Sequence, residues 1–471
     1  MMEHKKYEFL KNETIQIGSV TLYRIVALEN FGDVQKGDKG GFIQNYDNLN
    51  QWDDSWVYNN ACVYGNACVS EKAKVFDIAR VCDAAQVGGN AKIFEGARVS
   101  DNAKVFDAHV HGFARVYDNA FLYGNVDVYG NSTVCGCAKV RNNVKVYGNA
   151  QIFDYAEVHG DAQVYGNAQV FGKVKVYCNA QVFGNAQVYG ESYIYDNARV
   201  YGNSRVYNDV QIYGNAQVYD DAQVLENAQV CDNSKICKNA QVYGDVIVKE
   251  QAKVHGNAQV FDRVQICGIS QVFGSALVYG DAEVRGNSLV FGNSQVYGYA
   301  VIHGNSRNNN VPTRIYGNAR VFSNIDIKIY GVFGSAQVYD NARVCNSVVL
   351  DNAKVFGKAC IFGAVVIDNH MVGKTVISNN AQVFDRAEVY HSVVNGSAQV
   401  YGNSSVFNAS VENNAHIYDN AELSGVDSSR ADLPAVRVRD NARVYGNAKI
   451  KGEACVYGNA EVSGNEFLMY T

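Results

Sequence analysis

Ala216-Gln217-Val218-Tyr219 and Ala258-Gln259-Val260-Phe261 are two copies of one phrase, closed in most copies by Gly-Asn. The phrase recurs without a break from Val110 to Ile302: Val110, Val116, Leu122, Val128, Val134 and onward to Val296 and Ile302 are aliphatic positions six residues apart. Two residues before each stands a small residue, usually Ala or Ser and sometimes Val. Side chains alternate along a strand, so Ala and Val share one side while Gln and Tyr share the other. Gly takes positive φ freely and Asn tolerates it, so Gly-Asn reads as a corner. The unit is one short strand and one turn.

A helix would scatter valines spaced by six around its axis, and β-branched residues favour strands. A repeat of this kind predicts a solenoid. The number of sides comes from a second signal. Val replaces the small residue at 126, 144, 174, 210, 246 and 264, and most of those steps are multiples of 18. The step from 144 to 174 is 30 and departs from that phase. Three hexapeptides per coil, a triangular section, fit best. The expected fold is an all-β parallel β-solenoid of roughly 22 triangular coils with a small N-terminal β cap.

Around this block the register changes. Residues 1–50 do not follow the repeat: Glu13–Ile17, Gly18-Ser19 and Val20–Val26 read as a hairpin that caps the first coil, whose open edge would otherwise recruit other strands. The solenoid is expected over 51–463, starting near Trp56-Val57, with corner loops near 303–314 and 424–437 and a tail at 464–471. Five-residue steps interrupt the period at Val105–Val110, Ile327–Val332, Val344–Val349, Ile361–Val366, Val372–Ile377, Val389–Val394 and Val406–Val411. Coils of 17 residues with one tight corner explain them.

The composition restricts the function. Net charge is −6 over 471 residues with no basic block, which argues against nucleic acid and anionic membrane as partners. No apolar run is long enough to cross a bilayer, and Met1-Met2-Glu3-His4-Lys5-Lys6 leads into no apolar signal region. The chain reads as a cytoplasmic protein of bacterial type. Its twelve cysteines form no CxxC pair and fall in outward or turn slots, as Cys82, Cys135, Cys231, Cys237, Cys267 and Cys345 do in the slot after Val. They are expected as free, reduced thiols without metal.

The aliphatic position with a small residue four later resembles the left-handed β-helix of hexapeptide-repeat acyltransferases, the trimeric LpxA-like superfamily. Ile25-Val26-Ala27-Leu28-Glu29-Asn30-Phe31-Gly32-Asp33-Val34 through Gly40-Gly41-Phe42-Ile43 is similar to the start of YdcK-type β-solenoid proteins, a group labelled acetyltransferase chiefly by fold. The resemblance implies left-handed coils, a trimer, and an acyl-CoA cleft between subunits with a histidine base. The C-terminal helix common in those enzymes has no counterpart here, nor has a long loop able to reach a neighbouring subunit. Fold does not carry function. A non-catalytic scaffold or binding rod is therefore the first reading, without cofactor. A CoA-dependent acyltransferase using acetyl-CoA is the alternative.

His111, His159, His255 and His303 occupy the outward slot of Tyr or Phe, where stacking accounts for them. His303, beside the 304–314 loop, is the best catalytic candidate, although no carboxylate is evident nearby. His370 falls in an inward small slot and His391 at a shortened corner. Asp53-Asp54 and Asp220-Asp221 read as corner residues. Sorting outward residues by 18 gives one face that carries Tyr117, Phe153, Phe171, Tyr189, Tyr207, Tyr243, Phe261, Tyr279 and Tyr297, with mainly Gln before each aliphatic residue. Only Arg115 and Arg205 are charged on it within the regular block. The second face carries Lys139, Arg141, Glu157, Lys175, Lys249, Glu283 and Arg285, and the third Asp127, Lys145, Arg199, Lys235 and Lys253. Aromatic residues without charge mark interface cores. This face is the expected site of homo-oligomer formation or of docking for an elongated protein partner.

Overall fold

The computed structural model describes residues 5–304, 312–323, 331–363, 365–367, 370–372, 375–425 and 436–470. The chain divides into two compact units, Met1–Glu226 and Asn227–Thr471. In each, the hexapeptides stack into three parallel sheets, about 22 coils in all. The one short helical turn among the described residues is Tyr46–Asn48.

In the first unit the coils have the expected length. Gln151 pairs with Gln169 and Gln169 with Gln187, while Ile93 pairs with Val110 across the shortened step. The inward residues are fully buried, Ala180, Val182, Ala186 and Val188 among them. Where Ser132 and Ser192 fill the small slot, the hydroxyl donates to the carbonyl three residues back, Ser132 Oγ to Tyr129 O at 2.8 Å and Ser192 Oγ to Tyr189 O at 3.2 Å, whereas Ser204 Oγ has no partner among the described residues. Such a bond satisfies a polar group buried in a thin apolar core.

The corners carry two ladders that hexapeptide spacing alone does not reveal. Where Asn follows successive positive-φ residues, its side chain donates to its counterpart one coil on: Asn149 Nδ2 to Asn167 Oδ1 at 2.8 Å, Asn167 to Asn185 at 2.9 Å, Asn185 to Asn203 at 2.9 Å. Where Asp takes the positive-φ slot, its carboxylate accepts an N–H from the next coil, as Asp118 Oδ2 does from Gly136 at 3.0 Å and Asp262 Oδ2 from Gly280 at 2.9 Å. The acidic corners are thus backbone acceptors.

Three N-terminal strands open the first unit. β1 (Tyr7–Ile17) and β2 (Val20–Ala27) form the antiparallel hairpin, with an irregularity between Leu10 and Thr14. β3 (Lys39–Ile43) runs antiparallel to β2 and parallel to Cys62–Val63, so parallel stacking already begins within residues 1–50. Gly40 and Gly41 permit this crossing: a Cβ on Gly40 would stand 2.5 Å from Ile25 Cγ1, and one on Gly41 would stand 2.6 Å from Ala61 O. Lys6 is buried there, donating to Asp53 O at 2.7 Å and Ser55 O at 2.8 Å, and burial holds its pKa below the ordinary lysine value.

In the second unit, coils of 17 residues join Val338 to Val355, Val344 to Ile361 and Val389 to Val406. Two expectations fail. Val366 and Val372 are not repeat positions: Val349 pairs with Ile377 and Ile361 with Val389, and the ladders skip the segment between. Val365–Ile367 and His370–Val372 form a separate antiparallel pair, so His370 does not fill an inward slot. The text Val-Val-Ile-Asp-Asn-His-Met-Val is a hairpin signal, β-branched runs around two turn-forming residues. It was hidden because its valines keep the five- and six-residue spacing. The expected tail is the second departure: Phe467–Tyr470 is a strand parallel to Lys449–Gly452. Ile327 lies outside the described residues, as do 305–311 and 426–435 of the two expected loops.

Candidate binding face

The aromatic and glutamine residues of the predicted face fall in one sheet of each unit. In the first unit, Phe153, Phe171, Tyr189 and Tyr207 stack coil on coil, their ring centroids 4.7, 4.9 and 4.9 Å apart and their planes within 8°. Tyr117 precedes them, with Cys135 in between. Beside the rings, Gln187 Nε2 donates to Gln169 Oε1 at 3.0 Å and Gln169 to Gln151 at 3.3 Å. In the second unit, Tyr243, Phe261, Tyr279 and Tyr297 stack at 5.0, 5.0 and 4.9 Å. The repeat places identical slots one ladder spacing apart, about 4.8 Å, and flat rings fill that spacing in offset contact. All nine residues are half-buried: each ring covers its neighbours and shows an edge to solvent.

Stacking by itself does not single out this face. Tyr129, Tyr147, Tyr165 and Phe183 stack on another sheet of the first unit, and Tyr177, Tyr195 and Tyr213 on the third. What separates the predicted face is how few charges stand beside its rings, Arg115 next to Tyr117 and Arg205 next to Tyr207.

The histidines resolve into distinct environments. His159 stacks on Tyr177 and His255 on Phe273. His111 lies between Phe94, at 4.4 Å, and Tyr129, at 5.1 Å. Its Nε2 is 3.1 Å from Asp127 Oδ1, and its Nδ1 is 3.8 Å from Glu95 Oε2. Sequence reading missed this cluster because each partner is one coil away; the signal was carboxylates 16 residues to either side. His303 lies in a ladder between Arg285 and Phe333. Burial, and then Arg285, hold its pKa below the usual histidine value. His391 sits at a positive-φ corner, 5.7 Å from the Phe407 ring.

All twelve cysteines are free. Cys82, Cys231, Cys237 and Cys345 are buried although they stand in the slot after the aliphatic residue. A short thiol in a row of rings is overshadowed from both sides: Cys345 pairs with Phe322 and Phe362 in its ladder. Burial pushes its thiol up to about 11. Among the described residues, no three His, Cys, Asp or Glu side chains are grouped to hold a metal ion, and no helix is long and apolar enough to cross a membrane.

The YdcK Beta solenoid repeat family matches residues 193–208, 210–226 and 336–352. No curated protein matches the chain. The matched segments cover whole or nearly whole coils from both units, and they support a β-solenoid family while leaving the activity open.

Proposed function

We propose that this chain is a non-catalytic solenoid scaffold that associates with a second copy of itself through the aromatic and glutamine face. The observation that supports this reading is the nearly uncharged surface beside flat, stacked rings from Phe153 to Tyr207. A patch without charge meets its own copy without like-charge repulsion, and self-complementary pairing about a two-fold axis is the commonest route to oligomers. Light scattering at micromolar concentration tests it. The wild type should exceed the mass of one chain, and the triple variant Phe171→Lys, Tyr189→Glu, Tyr207→Lys should remain folded as a monomer. A monomeric wild type sinks self-association and transfers the face to an elongated protein partner.

The acyltransferase reading has one observation on its side, the carboxylate of Asp127 against the His111 imidazole, the arrangement that orients a general base. Against it, Nδ1, the other ring nitrogen, also faces a carboxylate, Glu95 Oε2 at 3.8 Å, so neither nitrogen is turned to a substrate. Acetyl-CoA separates the two readings. A saturable rise in melting temperature supports the enzyme, and an unchanged melt at millimolar ligand supports the scaffold.

A further inference from the structure

Upstream of the regular block, the sheet that carries Phe153 and Phe171 changes character. Arg80 pairs with Arg98 and Arg98 with Arg115, each in the slot before the aliphatic residue. Among the described strand pairings, this is the one run of three like charges in the slot before the aliphatic residue. Like charges directly opposite on neighbouring strands repel. The slot itself does not require them, since Gln151, Gln169 and Gln187 fill it further on. All three arginines are exposed, and none forms an ion pair with a carboxylate among the described residues. One carboxylate, Asp101, shares the groove with the three arginines; its Oδ2 accepts from Asp118 N and from Ser100 Oγ, each at 3.3 Å, and Asp83 Oδ2 accepts from Asp101 N at 3.4 Å. Arg98 has one weak contact, to Cys82 Sγ at 3.6 Å.

The arginines line a groove of about 620 Å³, within the range of small-molecule sites. Its apolar shoulder is Ile78 and Phe113, which are 60% and 67% exposed and among the most solvent-facing apolar side chains of the chain. Gly96 lies between them, and a Cβ there would come within 2.7 Å of Phe113 Cδ1, so its absence lets that ring lie back against the coil. Ser100 and Tyr117, successive residues of the slot after the aliphatic position, also line the groove. A row of unpaired guanidinium forks beside an apolar ledge has the chemistry to hold an oxyanion attached to an apolar body, because the fork matches carboxylate and phosphate alike.

We propose that the Arg80–Arg98–Arg115 groove binds a small organic oxyanion, its carboxylate or phosphate on the guanidinium row and its apolar body on Ile78 and Phe113. Titration calorimetry of the full chain with phenylphosphate and with benzoate tests this and distinguishes the two oxyanions; inorganic phosphate controls for the apolar body. At least one organic probe should bind saturably, at about millimolar or tighter. Arg98→Gln should weaken it about tenfold, as loss of a charge-assisted hydrogen bond requires, and Phe113→Ser should reduce it to the level of inorganic phosphate. Arg80→Gln, Arg98→Gln and Arg115→Gln together should abolish binding while the melting temperature holds. Should that variant unfold, Arg98→Lys, which keeps the charge and loses the fork, should still weaken binding. No saturation by either probe up to about 10 mM, equal binding by folded wild type and variants, or inorganic phosphate bound as tightly as phenylphosphate would each overturn the proposal.

Discussion

Val182 offers the sharpest test of the inside-outside assignment. It is fully buried, with Val164 and Val200 on either side in its ladder, while the adjacent Gln181 faces outward between Gln163 and Arg199. Val182→Ala removes two methyl groups, worth about 1.6 kcal/mol in transfer at roughly 0.8 kcal/mol each. The residual cavity brings the loss to about 2–3 kcal/mol, since stacked coils above and below limit collapse. Val182→Asp loses the same packing and adds a buried carboxylate with no partner, for a total of about 5 kcal/mol at neutral pH. The pH dependence has a definite sign. Burial raises the introduced carboxyl above its unfolded pKa of about 3.9. The native state then holds the proton more tightly, so the variant recovers part of its stability on acidification and loses it again as pH rises through the native pKa. Stacked coils open locally, so hydrogen exchange read by mass spectrometry over residues 163–201 is a better assay than a single melting temperature. Val182→Asp should expose those amides, whereas Gln181→Asp should leave their protection almost unchanged. Equal loss of protection in the two variants would refute the assignment.

Asn167→Ala deletes two links of an exposed amide ladder, and thermal denaturation should show a loss of about 1 kcal/mol, near the low end for two hydrogen bonds. Thiol titration with an aromatic disulfide at mildly alkaline pH should label Cys178 and Cys455 first and leave Cys82 and Cys345 unreacted until denaturant is added; early labelling of Cys345 would contradict its burial between Phe322 and Phe362. Burial of Lys6 lowers its pKa, so the unfolded chain binds more protons just below the ordinary lysine value. Protection of the β1 and β2 amides should therefore rise with pH as it approaches that value from below, and Lys6→Met should flatten the slope.

The sequence by itself determined which side chains point inward, because alternation along a strand is a local rule and a period of six keeps every Val and Ala on one side. It also carried the coil lengths of 18 and 17, since stacking requires equal slots to return after one circuit, as Ile93 meeting Val110 and Val344 meeting Ile361 show. The aromatic and glutamine row was legible for the same reason. Local text was silent on interactions between coils. The Asn149–Asn203 amide ladder, the carboxylates around His111, the arginine row and the burial of Cys345 all join residues about one circuit apart. Partners of that kind exist only once the chain has closed its coil. Spacing also misled where two structures share it. Val366 and Val372 keep a repeat-like interval, yet Val365–Ile367 and His370–Val372 pair with each other, and only the pairing of Ile361 with Val389 showed that the ladder passes them by. A solenoid's sequence specifies the rung, and the contacts between rungs, where binding surfaces form, are decided by the stack.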